Sequence, residues 1–115
     1  MAPTAIAIIA GVGPGTGASV ARHFATAYPV VLLARNPTHY QSLAQEIKNN
    51  GGKAIGISTD LTSSESIKQA FGQIEQEFPG GPVAAAIFNA AGGFIRKPLL
   101  DVTEEEFTSG FLINV

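Results

Sequence analysis

Residues 10–19 read AGVGPGTGAS, with four glycines and a proline in ten positions. They follow an apolar run, TAIAIIA (4–10), and precede VARHFATAY (20–28), which has helical spacing. A backbone that excludes side chains at Gly11, Gly13, Gly15 and Gly17 is either a tight turn or a surface that a ligand approaches closely, a phosphate above all. What lies on either side decides between the two.

Outward from the glycines, apolar runs alternate with helical patterns. The runs are Thr4–Ala10, Val30–Ala34, Ala54–Ser58 and Val83–Asn89. They are nearly continuous rather than alternating, as in strands covered on both faces. The first helix places Val20, Ala21, Phe24, Ala25 and Tyr28 on one face, and the second Tyr40, Leu43, Ala44 and Ile47. Asn36-Pro37 is a start signal for the second, a cap followed by proline at the first helical position. The third uses Ile67, Phe71, Ile74 and Phe78, with Thr62 and Glu65 as a capping box. Gly51-Gly52 and Pro79-Gly80-Gly81-Pro82 close helices two and three. A fourth helix starts at Thr103, with Glu106 three residues on, and carries Phe107, Phe111 and Asn114. Four β-α units in this order predict an α/β fold, a doubly wound parallel sheet with right-handed crossovers.

Composition agrees with one globular domain over residues 1–115. The chain is 45% hydrophobic and 14% charged, with a net charge of −2. That charge gives no case for nucleic acid or an anionic membrane as a partner. With no cysteine there are no disulfides, zinc-thiolate sites or thiol nucleophiles. The apolar start is too short to span a bilayer and lacks a basic flank, the first Lys or Arg being Arg22. A cytoplasmic protein is expected.

In such a sheet the turn between the first strand and the first helix is where a nucleotide pyrophosphate binds, at the positive end of the helix dipole. The G-x-G-x-x-G spacing fails, because Thr16 stands where Gly11 and Gly13 would need a glycine. The spacing that fits is G-x-x-x-G-x-G, with Gly11, Gly15 and Gly17. An NAD site would carry an acid at the end of the second strand to bind the ribose 2′-hydroxyl. That strand reads VVLLARN (30–36), and no Asp or Glu occurs between the glycines and Glu46. Arg35 stands beside the acid's place, and a guanidinium there suits a 2′-phosphate, so NADP(H) is the expected cofactor. Asp60, at the end of the third strand in STDLTSS (58–64), and Asn89, at the end of the fourth, belong to the same edge. Gly92 and Gly93 allow close backbone approach.

Taken together, Gly11-x-x-x-Gly15-x-Gly17, Arg35, Asp60-Leu61, Asn89-Ala-Ala-Gly92 and a fourth helix with Asn114 resemble the short-chain dehydrogenase/reductase family, in its NADP-preferring branch. The resemblance runs the length of the chain and implies a Rossmann-like sheet with strand order 3-2-1-4. It implies that the loop from Gly11 through Gly13, Gly15, Thr16 and Gly17 holds the pyrophosphate and that Arg35 takes the 2′-phosphate. It places Asp60 on the adenine amino group with the Leu61 backbone beside it, and Asn89 near the adenosine ribose, bracing the sheet. Asn114 matches the asparagine of the family's Asn-Ser-Tyr-Lys active site, with the role of holding a kink and a water in the proton relay. The implied substrate is a small carbonyl or alcohol, and the implied assembly a homo-oligomer of the full-length form.

The chain departs from the family's pattern in three places. The paired asparagine after the fourth strand is Asn89-Ala90, so a contact from the second asparagine is lost. Pro14 stands where NADP users often carry Arg or Lys, and it removes a backbone donor. The catalytic Ser and Tyr-x-x-x-Lys have no counterpart: Leu32 lies four residues after Tyr28, and Ala44 four after Tyr40. The expectation is therefore the N-terminal, cofactor-binding part of a longer reductase, apparently truncated, with a non-catalytic NADP-binding or interaction module as the alternative. His23 and His39 read as surface or packing residues with no metal site, Arg96-Lys97 as a solvated doublet, and Phe107 and Phe111 as core or subunit contact.

Overall fold

The computed structural model describes residues 3–91 and 96–114. Gly92 and Gly93 lie outside the described residues. Four parallel strands, β1 (Ile6–Ala10), β2 (Val30–Ala34), β3 (Ala54–Ser58) and β4 (Val83–Phe88), form one sheet in the order β3-β2-β1-β4. Between them run helices α1 (Thr16–Phe24), α2 (Gln41–Asn49) and α3 (Ser64–Glu77), with α4 (Glu104–Asn114) after β4. Among the described residues, no helix is long and apolar enough to cross a membrane.

Strand side chains alternate between the two faces, and both faces of β1 and β2 are covered. Ala7, Ile9, Val30, Leu32 and Ala54 pack with Ala18 and Ala21 of α1 and Leu43, Ala44 and Ile47 of α2. Ile6, Ile8, Val31, Leu33 and Ile57 face the other way, onto Ala70 and Ile74 of α3. Every residue of β2 is buried, as the unbroken apolar run predicted. β4 departs from that expectation. Ala85 and Ile87 pack against the first cluster, but Phe88 is 69% exposed and Val83 is exposed too.

Element ends follow local chemistry. β1 begins at Ile6 rather than Thr4, because β4 starts only after Pro82, which has no N–H for the ladder, and the Ile6 N–H bonds its carbonyl. Asn36 does cap a helix, its Oδ1 accepting from the Thr38 N–H at 3.0 Å, but the helix is a single 3-10 turn (Pro37–His39) and α2 starts at Gln41. Tyr40 then lies across β3: a Cβ on Gly56 would overlap its ring, so the glycine in mid-strand makes room for it. The cap of α3 is Ser63, whose Oγ accepts from the Ser66 N–H at 3.2 Å. The expected Thr62–Glu65 box does not form, because Asp60 has already captured Thr62 through both its N–H and its hydroxyl. In α3 the small Ala70 seats the helix on the sheet, and Phe71, one step round, stays half exposed rather than joining the core.

The expected box at α4 is present and reciprocal. Thr103 Oγ1 accepts from the Glu106 N–H, and Glu106 Oε1 accepts from the Thr103 N–H, both at 3.1 Å. Lys97 pairs with Glu106 at 2.5 Å, so it is tied to the first turn of α4 rather than free in solvent. α4 buries none of its residues, and Phe107 and Phe111 are 70% and 56% exposed, so they are not core in this chain. Arg22 of α1 and Glu46 of α2 form a two-pronged pair at 2.6 and 3.3 Å on the outer surface. The pair raises the Arg22 pKa and holds the Glu46 carboxyl below the usual range.

Candidate functional site

The strands' carboxyl ends converge on one junction. The Gly11 N–H donates to the Leu33 carbonyl of β2 at 2.9 Å, and its own carbonyl accepts the Asn89 side-chain amide at 3.3 Å. The Asn89 backbone N–H donates to the Ala10 carbonyl at 2.7 Å. β1, β2 and the end of β4 thus meet where the chain turns into α1.

The glycines divide into two pairs. Gly11 has φ +97°, and a Cβ there would stand 2.5 Å from the Ala90 nitrogen. A Cβ on Gly17 would stand 2.5 Å from the Gly11 carbonyl oxygen. These two glycines are required by the protein's own packing. Around Gly13 and Gly15 nothing lies within 4 Å of the position a Cβ would take. No protein contact demands glycine there, and both positions leave open space beside the start of α1. Gly15 is the cap residue and offers no side-chain acceptor, so the N–H groups of the first turn are unpaired within the helix. That is the geometry of an anion cradle, as glycines at the head of a helix permit.

Beside it opens a cavity of about 1010 Å3 at the sheet's carboxyl edge. Of the residues expected at a cofactor site, Gly11, Gly13, Arg35, Asp60, Leu61, Asn89 and Ala90 line it. Gly15, Thr16 and Gly17 do not: they form the adjoining turn and helix start. Gly92 lies outside the described residues. Asn114 also lies off the cavity wall, its side-chain amide donating to the Gly110 carbonyl one turn back at 2.9 Å. The first turns of α4 form the far wall through Glu104, Glu105, Thr108 and Leu112.

Among the lining residues that the sequence did not single out for the site are His39 and Thr62. His39, read from the sequence as a packing or surface residue, faces the cavity from the 3-10 turn after β2. The signal was its place four residues after Arg35, on the turn that the Asn36 cap folds back. Thr62 was read as a helix cap and instead fixes Asp60; the Asp-x-Thr spacing, which favours a side-chain turn, was the available clue.

Arg35 and Asp60 are joined. Arg35 Nη2 donates to Asp60 Oδ1 at 3.0 Å, with side chains 74% and 40% exposed. Ser58 holds the backbone of Arg35, its hydroxyl donating to the Arg35 carbonyl at 2.8 Å. The same Asp60 oxygen accepts the Thr62 hydroxyl at 2.6 Å and the Thr62 N–H at 2.9 Å, and the Asp60 N–H donates to Ser66 Oγ. The Thr62 hydroxyl and N–H, and then Arg35, pull the Asp60 pKa down from 3.8 to about 2. Since the folded value is the lower one, this carboxylate favours the folded state above pH 3.8, and the contribution fades as pH falls toward 2. A carboxyl-carbon NMR titration is expected to place the Asp60 midpoint near 2. A midpoint at or above 3.8 would contradict the arrangement around Oδ1.

The family profile described as short chain dehydrogenase matches residues 5–115. A short chain dehydrogenase of Pseudocercospora fijiensis is 36% identical over 100 residues, covering 86% of this chain and 31% of the relative. Elsinochrome reductase 1 of Elsinoe fawcettii is 34% identical over 111 residues, covering 95% of this chain and 40% of its own. This chain therefore spans well under half the length of these curated relatives. Among solved structures, a metagenomic short-chain oxidoreductase crystallised in complex with NADP superposes with a TM-score of 0.80 at 25% identity, covering 96% of this chain and 49% of its own.

Proposed function

Because the chain belongs to the short-chain dehydrogenase family, we propose that it holds NADP(H) for an oxidoreductase that reduces a carbonyl or oxidises an alcohol. The observation that carries this reading is the open space at Gly13 and Gly15, beside a helix start with unpaired N–H groups and next to a cavity lined by Arg35. A relative in the same fold is known in complex with NADP, which supports the same cofactor class.

In this reading the loop from Gly11 to Gly17 takes the pyrophosphate on the first N–H groups of α1. Arg35 takes the 2′-phosphate. Ala34, the last residue of β2, places no carboxylate against it. Asp60 and the Leu61 backbone receive the adenine, and Asn89 keeps the loop in shape through Gly11. The bound nicotinamide supplies or accepts a hydride. The two tyrosines are spoken for structurally, Tyr40 over Gly56 and Tyr28 against the α1–α2 cluster. Neither is followed by a lysine at the family's spacing. The work of these residues is accordingly cofactor binding, and Asn114 is the one of them proposed to touch the proton relay.

Arg35→Ala is the direct test. Losing a charge-assisted pair with the 2′-phosphate is expected to weaken NADPH by about 2–3 kcal/mol while leaving NADH nearly unchanged. Calorimetric titration of both cofactors measures it, and equal losses for the two would overturn the assignment of Arg35.

A further inference from the structure

We propose that Asp60 competes with the cofactor's 2′-phosphate for the Arg35 guanidinium and so holds down the site's preference for a 2′-phosphorylated adenosine. This rests on the cofactor reading above and adds to it a specificity-setting residue outside the strand that carries Arg35.

The two residues reach the cavity from neighbouring strand ends, one residue beyond the Ala34–Ser58 pair that closes the β2–β3 ladder and two beyond it respectively. Their ion pair is asymmetric in its freedom. Asp60 is fixed: Oδ1 takes two bonds from Thr62, and its N–H is held by Ser66. Apart from its pair with Asp60, Arg35 is held at its backbone, by Ser58, and its side chain is the more exposed partner. When a competing anion arrives, the guanidinium is therefore the group that moves and the carboxylate the one that stays. With its pKa lowered to about 2, the carboxylate is ionised at neutral pH.

An adenosine with a free 2′-hydroxyl has no charge to offer and can leave Arg35 on Asp60. A 2′-phosphate must draw the guanidinium away, or share it, and must also lie near a fixed negative charge. Both effects fall on the phosphorylated ligand alone. The site thus combines an arginine that favours the 2′-phosphate with an acid that opposes it, one strand over from where an acid would exclude that phosphate altogether.

The test uses adenosine 2′,5′-bisphosphate and 5′-AMP, which share the adenine and ribose and differ in the 2′-phosphate. Their dissociation constants are measured by calorimetry on the wild-type protein, Asp60→Asn, Arg35→Ala and the double variant. Asparagine keeps an oxygen for the Thr62 N–H, so the turn is preserved, and any change at the adenine cancels in the ratio of the two probes. The expected result is that Asp60→Asn raises the preference for the bisphosphate by about two- to fivefold, the scale of an exposed ion pair, and that it changes nothing in the ratio when Arg35 is alanine. A preference that falls in Asp60→Asn means the acid positions Arg35 instead of competing for it, and overturns the proposal. An unchanged ratio, or a rise that persists without Arg35, also overturns it. The cofactor reading fails separately, if neither probe binds the wild-type protein or if Arg35→Ala weakens both alike.

Discussion

Gly15→Val is expected to abolish dinucleotide binding while leaving the protein folded. Nothing lies within 4 Å of a Cβ at this position, so the branch point of the side chain stands in open space. The residue caps α1 without a side-chain bond, and valine as a poor cap costs about 1 kcal/mol of stability. The branched side chain instead fills the open space in front of the first-turn N–H groups, where phosphate oxygens must come within hydrogen-bond distance. Losing that approach removes the pyrophosphate contacts together, and a loss of more than about a hundredfold in affinity, close to 3 kcal/mol, follows. Calorimetric titration with NADPH reads the binding, and circular dichroism with thermal melting reads the fold. A variant that melts slightly below wild type and still binds normally would show the glycine turn to be structural only.

The opposite outcome is expected four residues earlier in the chain, at Gly11→Ala. There φ is +97°, a region an L side chain rarely adopts, and the new methyl would overlap the backbone between Asn89 and Ala90. Relieving the overlap means moving the end of β4 or the turn, and either breaks the Asn89–Gly11 and Asn89–Ala10 bonds. The combined cost is about 3–5 kcal/mol, a large share of the stability of a domain of this size. Urea unfolding monitored by circular dichroism measures it, with Gly13→Ala as the control: its methyl meets nothing, and its midpoint is expected to stay near wild type. A Gly11→Ala midpoint equal to that of Gly13→Ala would mean that the junction yields without cost.

These two substitutions mark how far the sequence could be read. The spacing of the glycines, the apolar runs and the caps at Asn36 and Thr103 were enough for the element order and, through the family resemblance, for the strand order. Arg35, Asp60 and Asn89 were legible as a set because all follow strands of one parallel sheet, whose carboxyl ends share an edge. What one-dimensional spacing could not separate was why each glycine is a glycine. Gly11 answers to Ala90, far along the chain, Gly17 to the carbonyl of Gly11 six residues back, and Gly13 and Gly15 to space. Spacing alone also left Thr62 with two roles, helix cap or partner of Asp60 in an Asp-x-Thr turn, and only the fold decides for the second. The exposed face of β4 was missed for a related reason: VAAAIF is apolar enough to be buried on both sides, and burial depends on what packs there, not on the run itself.

The Asn89–Gly11 bond joins residues 78 positions apart. The glycine turn therefore cannot take its final shape before the end of β4 has docked beside it. A chain that has paired β1, β2 and β3 already carries all four glycines of the turn, yet the Gly11 carbonyl still lacks the amide that fixes it, and long-range parallel pairing of this kind is slow. β4, the least buried strand, is also the one whose docking completes the turn. Local opening of β4 in the native state releases the turn with it, so the two share one opening equilibrium. Anything that binds only the finished turn shifts that equilibrium toward the closed form by mass action. Ligand binding at the head of α1 and the seating of β4 are in this sense thermodynamically coupled.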